Sequence, residues 1–237
     1  IKLPSATSVI TASNSSYKNW VNNIGHAIIK KIDIIIGGTP IDTNFSEWFD
    51  IWNEFTDPLH HEWNLIGKKV DSRELEEDQE NSTIYYIPLN FWFTKNIGDA
   101  LPLIALQNHE IKLKLELRKL SELIVTDGTS VESSGDITEI KIFGDFIYLE
   151  DQERKLFAEQ EHEYLIEQVQ HDIYSLNEGK NNIELELFKN PIKELIWVFR
   201  HKNRKSIVNA TSSSNYSLNL KTSNTNSNDY FNYSSNS

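Results

Sequence analysis

The 237-residue chain has no cysteine and no methionine, and only nine glycines and six prolines. The missing cysteines remove disulfides, thiolate metal ligands and thiol nucleophiles together, and their absence fits assembly in a reducing compartment. A natural reading frame opens on Met, whereas position 1 is Ile, so the sequence reads as a stretch from inside a longer protein. No apolar run approaches the roughly 20 residues of a membrane-spanning helix. Positive charge is short as well: 23 Lys and Arg face 35 Asp and Glu, for a net charge of −12. Nucleic-acid binders release counterions through clustered Lys and Arg. The single compact basic run, Arg200-His201-Lys202-Asn203-Arg204-Lys205, reads as a solvated loop, so no direct nucleic-acid binding is expected.

Motifs that would carry chemistry are missing too. His60-His61-Glu62, His109-Glu110 and His162-Glu163 pair His with Glu, but none extends to the H-E-x-x-H frame that puts two zinc ligands on one helix face. These histidines read as solvated or locally bonded, with His109 beside a strand as a candidate buried one. Gly37-Gly38 fits neither phosphate-binding glycine frame, and a hairpin turn accounts for it. The acidic cluster Glu74, Glu76, Glu77, Asp78 and Glu80 lacks the spaced ligands of a calcium loop. No nucleophile elbow occurs. N-x-[ST] sequons at Asn14, Asn44, Asn81, Asn209, Asn215 and Asn232 are the harvest expected by chance from an Asn- and Ser-rich chain. No catalytic residue, cofactor-binding residue or metal ligand is assigned.

What the chain does have is strand pattern. Apolar residues make up 38% and aromatics 11%, and aromatics bury large areas per residue, so a lean apolar count can still fill a core. Ile28, Ile29, Ile32, Ile34, Ile35 and Ile36 form a β-branched run closed by Gly37-Gly38. Ile111, Leu113, Leu115 and Leu117 alternate with Lys112, Lys114 and Glu116, the period of a strand with one wet face. Ile84 to Phe93 and Ile137 to Leu149 also read as strands, the first interrupted by Pro88, which belongs at an edge or bulge. Phe45, Trp48, Phe49, Trp52 and Phe55 recur at helical spacing and predict a helix with an aromatic core face. Stretches 56–83 and 121–136 read as long loops. Asp151 to Gln170, rich in Glu, Gln and Leu, predicts a helix or a broken one. Ile183 to Phe188 and Ile192 to Arg200 predict two more strands, and from about residue 203 the sequence is Ser/Asn/Thr-rich.

The central block, Tyr86-Ile87-Pro88-Leu89-Asn90-Phe91-Trp92-Phe93 and then Leu101-Pro102-Leu103-Ile104-Ala105-Leu106-Gln107-Asn108-His109-Glu110-Ile111-Lys112, closely resembles the major capsid protein family of nucleocytoplasmic large DNA viruses. Three other segments resemble it in the same order: Trp20 to Asp42, ending in Gly37-Gly38-Thr39-Pro40-Ile41-Asp42; Asp145 to Leu149 with Glu153-Arg154 and His162 to Gln168; and Leu185 to Phe199. Together they cover roughly residues 20–200.

The resemblance implies an all-β fold of tandem antiparallel jelly-roll sandwiches. Residues 1–149 would be the first roll, nearly complete but lacking its first strand or two. Residues 150–172 would be a short helical linker, and 173–237 the start of a truncated second roll with a low-complexity tail. It implies a structural protein and no enzyme: a homotrimer of pseudo-hexagonal outline that contacts neighbouring capsomers and minor capsid proteins and tiles an icosahedral virion shell. Assembly would take place in the host cytoplasm, with contact to an inner viral membrane made only through other proteins. A carbohydrate- or receptor-binding β-sandwich is the alternative, since jelly rolls also serve as lectins. Within the first roll, Phe91, Phe93, Leu113, Leu115 and Ile147 are expected in the core, with Trp92 on the opposite face of its strand.

Overall fold

Two glycines in succession after a β-branched run make a tight hairpin turn. In the computed structural model, which describes residues 1–13, 18–57, 59–69, 81–126, 129–200, 226–227 and 230–231, Gly37 and Gly38 have φ of +59° and +83°. Positive φ at both central positions is what a two-residue hairpin needs to match the twist of its strands, and glycine adopts it without steric penalty. The acidic cluster from Glu74 to Glu80, the basic run beyond Arg200 and the sequons at Asn14, Asn209, Asn215 and Asn232 lie outside the described residues.

The strands are β1 (Lys2–Leu3), β2 (Ile10–Ser13), β3 (Lys18–Trp20), β4 (Ile29–Ile36), β5 (Thr39–Phe45), β6 (Thr83–Ile84), β7 (Ile111–Leu117), β8 (Ile124–Thr126), β9 (Thr129–Ser133) and β10 (Asn226–Ser227). Every pairing among them is antiparallel. The sheets are small: β5-β4-β7, β10-β8-β3, β2-β9 and β1-β6. Helices α1 (Ala6–Val9), α2 (Ile24–Ile28), α3 (Ser46–Thr56), α4 (Trp63–Ile66), α5 (Trp92–Lys95) and α6 (Asp151–Glu159) fill the connections.

In the largest sheet β4 is central, with Ile32 opposite Leu115 and Ile34 opposite Leu113 on one side, and Asn44 and Asp42 opposite the same two isoleucines on the other. Ile32 and Ile34 are buried. The core gathers them with Ile24, Ile28, Ile29, Trp20, Phe49, Tyr85, Phe91 and Leu123.

Several expectations change on meeting this structure. The stretch 84–93 is not one strand. β6 ends at Ile84, and after an extended passage through Pro88, which has no N–H to give a ladder, the chain turns into α5. One helical turn fans consecutive aromatics inward, so Phe91 and Trp92 are both buried rather than on opposite faces, and Phe93 stacks on Phe91 at 5.3 Å while half-buried. Leu113 is 36% exposed and Leu115 half-buried, because β7 is an outer strand of its sheet and, among the described residues, no strand pairs with its free edge.

Residues 137–149 contribute one isolated bridge, Glu139 to Lys2, and otherwise form no ladder, with Ile147 54% exposed. Segments 183–188 and 192–200 likewise form no ladder. Helix α3 forms where predicted, but its buried positions are Ser46, Phe49, Asp50 and Asn53. Of the aromatic stripe only Phe49 is in the core. Trp48 and Trp52 pack on each other at 5.5 Å at the margin, and Phe55 is 66% exposed. Helix α6 opens on a capping box of Glu150 and Glu153 and stops at Glu159. Residues 160–170 continue extended.

Candidate assembly surface

Many apolar residues of 140–199 are exposed, although Ile166 packs against the core. Phe143, Phe146, Tyr148, Leu165, Trp197 and Phe199 are all more than 60% exposed. Exposed apolar surface gathered in one patch marks contact with another molecule or another part of the same one, and backbone outside any ladder leaves N–H and C=O groups open to new partners. The same sequence pattern that builds β4 and β7 recurs here without partner strands.

Three polar anchors hold this outward region to the packed one. The first centres on Glu47 at the start of α3. Arg118, just past β7, donates through Nη1 to the Ala27 carbonyl and through Nη2 to Ser46 Oγ at 2.7 Å, and lies 3.9 Å from Glu47. Arg200 reaches the same carboxylate at 3.1 Å. Burial pushes Glu47 up, but its own backbone N–H, the Ser46 hydroxyl and the two guanidinium groups overcome that and hold it at about 2. A carboxylate between two half-buried arginines is coupled to both.

The second anchor is Asp42 on β5. Its Oδ1 accepts N–H groups from Thr43 and from Val169, the latter at 3.0 Å and 127 residues away. Gln168 Nε2 donates to the neighbouring Ile41 carbonyl, and His171 packs on Phe45 at 4.6 Å. Burial raises the Asp42 carboxyl above its usual range despite these donors. In the third, Glu167 bridges Lys95 and Lys193, and Lys95 also sits 4.3 Å above the Trp52 ring.

Inside the packed region lies a polar cluster that sequence reading missed. His26 on α2 is 2% exposed and stacks on Phe49. Asn23 Nδ2 lies 3.1 Å from His26 Nδ1 and donates to Asp50 Oδ1 at 2.9 Å, and Lys68 reaches Asp50 at 3.2 Å. Burial, helped by the Lys68 charge, pushes the His26 imidazole down to about 3. Burial likewise raises Asp50, with Lys68 opposing. Nothing in the spacing Asn23-Ile24-Gly25-His26 signals this, because it depends on α3 crossing α2.

The histidines singled out from sequence do not converge. His60 packs on Trp63 at 3.7 Å, and His61 pairs with Asp57 at 3.4 Å. His162 bonds the Phe157 carbonyl. His109 is exposed, not buried, because it sits beside the glycine turn at the sheet's end. No group of three potential metal ligands occurs among the described residues. Of the described sequons, Asn44 is fully buried, which closes it to a glycan, and Asn81 is exposed.

Comparison with known proteins bears on this surface. Residues 1–150 match the family model of the major capsid protein N-terminus, and residues 153–236 match that of the large eukaryotic DNA virus major capsid protein. The major capsid protein of Pyramimonas orientalis virus is 38% identical over 179 residues, covering 73% of this chain and 43% of the relative. Capsid protein 1 of Acanthamoeba polyphaga mimivirus is 32% identical over 199 residues, covering 78% of this chain and 34% of the relative. Among solved structures, a quasi-atomic model of the PBCV-1 virus capsid aligns with a TM-score of 0.49 at 30% identity, covering 68% of this chain and 38% of that one. The chain thus spans less than half the length of these relatives. On the match across residues 1–150, the chain belongs to the major capsid protein family of large eukaryotic DNA viruses.

Proposed function

We propose that this chain is shell-forming material: part of a major capsid protein that trimerises into pseudo-hexagonal capsomers tiling an icosahedral virion, with a structural role and no catalysis. The observation that carries this reading is the set of exposed apolar residues in 140–199, a region that forms no ladder. Such a surface is expensive to leave in water and suits a subunit that completes itself against neighbours. Two jelly rolls, 1–149 and 173–237, joined by a linker at 150–172, fit the separate family matches on either side of residue 150. They also fit the position of α6. Neighbouring capsomers and minor capsid proteins are the partners this role calls for. The net charge of −12 makes like-charged trimers repel at long range, so lattice contacts rely on short-range fit and on salt, whose screening length is about 10 Å near 0.1 M. Assembly in the host cytoplasm accords with the absence of cysteine.

Sedimentation of the full-length protein tests the proposal. A trimer across a range of salt is expected. A well-folded, monodisperse monomer at micromolar concentration overturns it.

A further inference from the structure

In the sheet β5-β4-β7, no strand among the described residues pairs with the free edge of β7. That edge offers unpaired N–H and C=O groups to a segment that matches it. The side chains decide what matches. Ile111, Leu113, Leu115 and Leu117 alternate with Lys112, Lys114 and Glu116, and Lys112, Leu113 and Lys114 are exposed. Lysines on an edge strand discourage most pairings, but an acidic strand of the same period meets them as opposite charges.

The stretch Ile183-Glu184-Leu185-Glu186-Leu187 has that period and that sign. Its three apolar residues are more than 40% exposed, both glutamates are exposed, and it forms no ladder. Every strand pairing in the chain is antiparallel. Laid antiparallel with Leu185 opposite Leu113, it sets Glu186 against Lys112, Glu184 against Lys114, Leu187 against Ile111 and Ile183 against Leu115. Cross-strand pairs of these kinds are the unit of sheet stability. A slip of one residue sets leucine against lysine. A slip of two brings Glu184 against Glu116 in one direction and Asn182 against Lys114 in the other. A turn bond from Phe188 N to Leu185 O at 3.4 Å bends the end of the stretch and is given up on pairing.

The chain's own copy of this stretch is tied to the other edge of the same sheet. Tyr174 Oη donates to the Glu184 carbonyl at 2.9 Å, and Lys189 N–H donates to Gln170 Oε1 at 2.9 Å. Gln168 and Val169 are in turn bonded to Ile41 and Asp42 on β5. β4 and β7 lie between β5 and the open position. At about 4.8 Å per strand, that position is three spacings, roughly 14 Å, from β5. A second copy can fill it with these bonds intact. Donor and acceptor at opposite edges of one sheet make a head-to-tail contact, which closes into a ring when the rotation between copies permits.

We propose that in the assembled protein the free edge of β7 takes residues 183–187 of a neighbouring copy as an added antiparallel strand. This rests on the reading of the chain as a shell subunit and names a contact within it.

The cysteine-free sequence offers a clean test in the full-length protein. L113C and L185C are made singly and together, with I111C and L187C as the second pair should the first fail to fold. The two single variants, mixed at assembly concentration and oxidised, should yield a covalent heterodimer. Its amount should stand well above that from L113C mixed with L59C, an exposed site outside both strands. Reversing the edge with K112E and K114E should weaken association by about tenfold or more. Adding E184K and E186K to the same chain should restore it, which a merely unstable variant would not show. A heterodimer no more abundant than background, in samples that sediment as trimers, overturns this contact and leaves the subunit reading standing. Charge reversal without rescue overturns it as well. So does a double cysteine variant that closes within one chain at high dilution, since the chain's own strand is then the occupant. Samples that sediment only as monomer overturn both the contact and the subunit reading.

Discussion

Residues 18–57 and residues 140–200 carry similar strand-forming patterns, yet one is packed and the other is not. In the first, each apolar stripe meets another: Ile32 and Ile34 on β4 lie between β5 and β7 and beneath α3. In the second, Ile183, Leu185 and Leu187 alternate as regularly as Ile111, Leu113 and Leu115, and all three are more than 40% exposed. Alternation specifies a strand with two unlike faces; it does not supply the strand to pair with. The packed region finds partner strands for its stripes, whereas the open region has none among the described residues.

Substitutions should separate the two regions sharply. The largest effect is expected at Phe49, fully buried between α3 and α2. Phe49→Ala should destabilise by about 3–5 kcal/mol in urea unfolding, whereas Trp197→Ala, at a site 70% exposed, should change stability by less than about 0.5 kcal/mol while lowering self-association. Equal losses at both sites would erase the distinction. Next is Glu47→Gln, which removes the charge between Arg118 and Arg200. A loss of roughly 1–3 kcal/mol is expected, since it removes the carboxylate that two half-buried guanidinium groups share, and a double-mutant cycle with Arg200→Met should show coupling.

The third prediction concerns acid. The folded His26 value of about 3 lies below the ordinary 6.5, so between those limits the unfolded chain binds the proton and the folded chain does not. Stability should fall as pH drops below 6.5, by up to about 1.4 kcal/mol per unit. Glu47, held at about 2 against 4.5, adds a loss of the same sign only below pH 4.5. The raised Asp50 and Asp42 act oppositely just above pH 3.8. His26→Gln should therefore flatten the stability profile between pH 6.5 and 4.5, and an unchanged slope there would remove His26 as the cause. A smaller effect is expected from Asp42→Ala, which deletes the acceptor of the Val169 N–H. The loss should be about 1–2 kcal/mol at most, seen as lost hydrogen-exchange protection at Val169. Smallest of the set is Leu113→Ala on the open flank of β7, roughly 1 kcal/mol or less, well under the 2–5 kcal/mol of a fully buried leucine.

How much of this was legible beforehand follows the same division. The run Ile29–Ile36 with Gly37-Gly38, the alternation at 111–117 and the helix read at 45–55 and found at 46–56 were readable because local pattern and tertiary partner agree there, whereas Ile28, read into the strand, closes α2. The strands expected at 137–149, 183–188 and 192–200 were legible as extended chain and no further, because pairing is a property of two segments. Phe91 and Trp92 were assigned to opposite faces by a period-two rule that α5 breaks. Arg118, Glu47 and Arg200 are spread over 153 positions, and Asn23, His26, Asp50 and Lys68 over 45. No window of sequence contains either cluster, and only the family resemblance pointed toward a surface rather than a pocket as the place of function.

One detail of β5 has a consequence for manufacture. Its inward positions beside Ile34 and Ile32 are Asp42 and Asn44, both buried. A slip of β5 by one residue would point this polar pair outward and turn Ile41 and Thr43 inward, taking Asp42 from the N–H groups that hold it. An all-apolar β5 would tolerate such a slip far better. Each 1.4 kcal/mol between correct and slipped forms divides the faulty fraction by about ten. For a shell subunit of the kind proposed above, the polar pair would favour a low error rate and work as a proofreading mark written into a single strand.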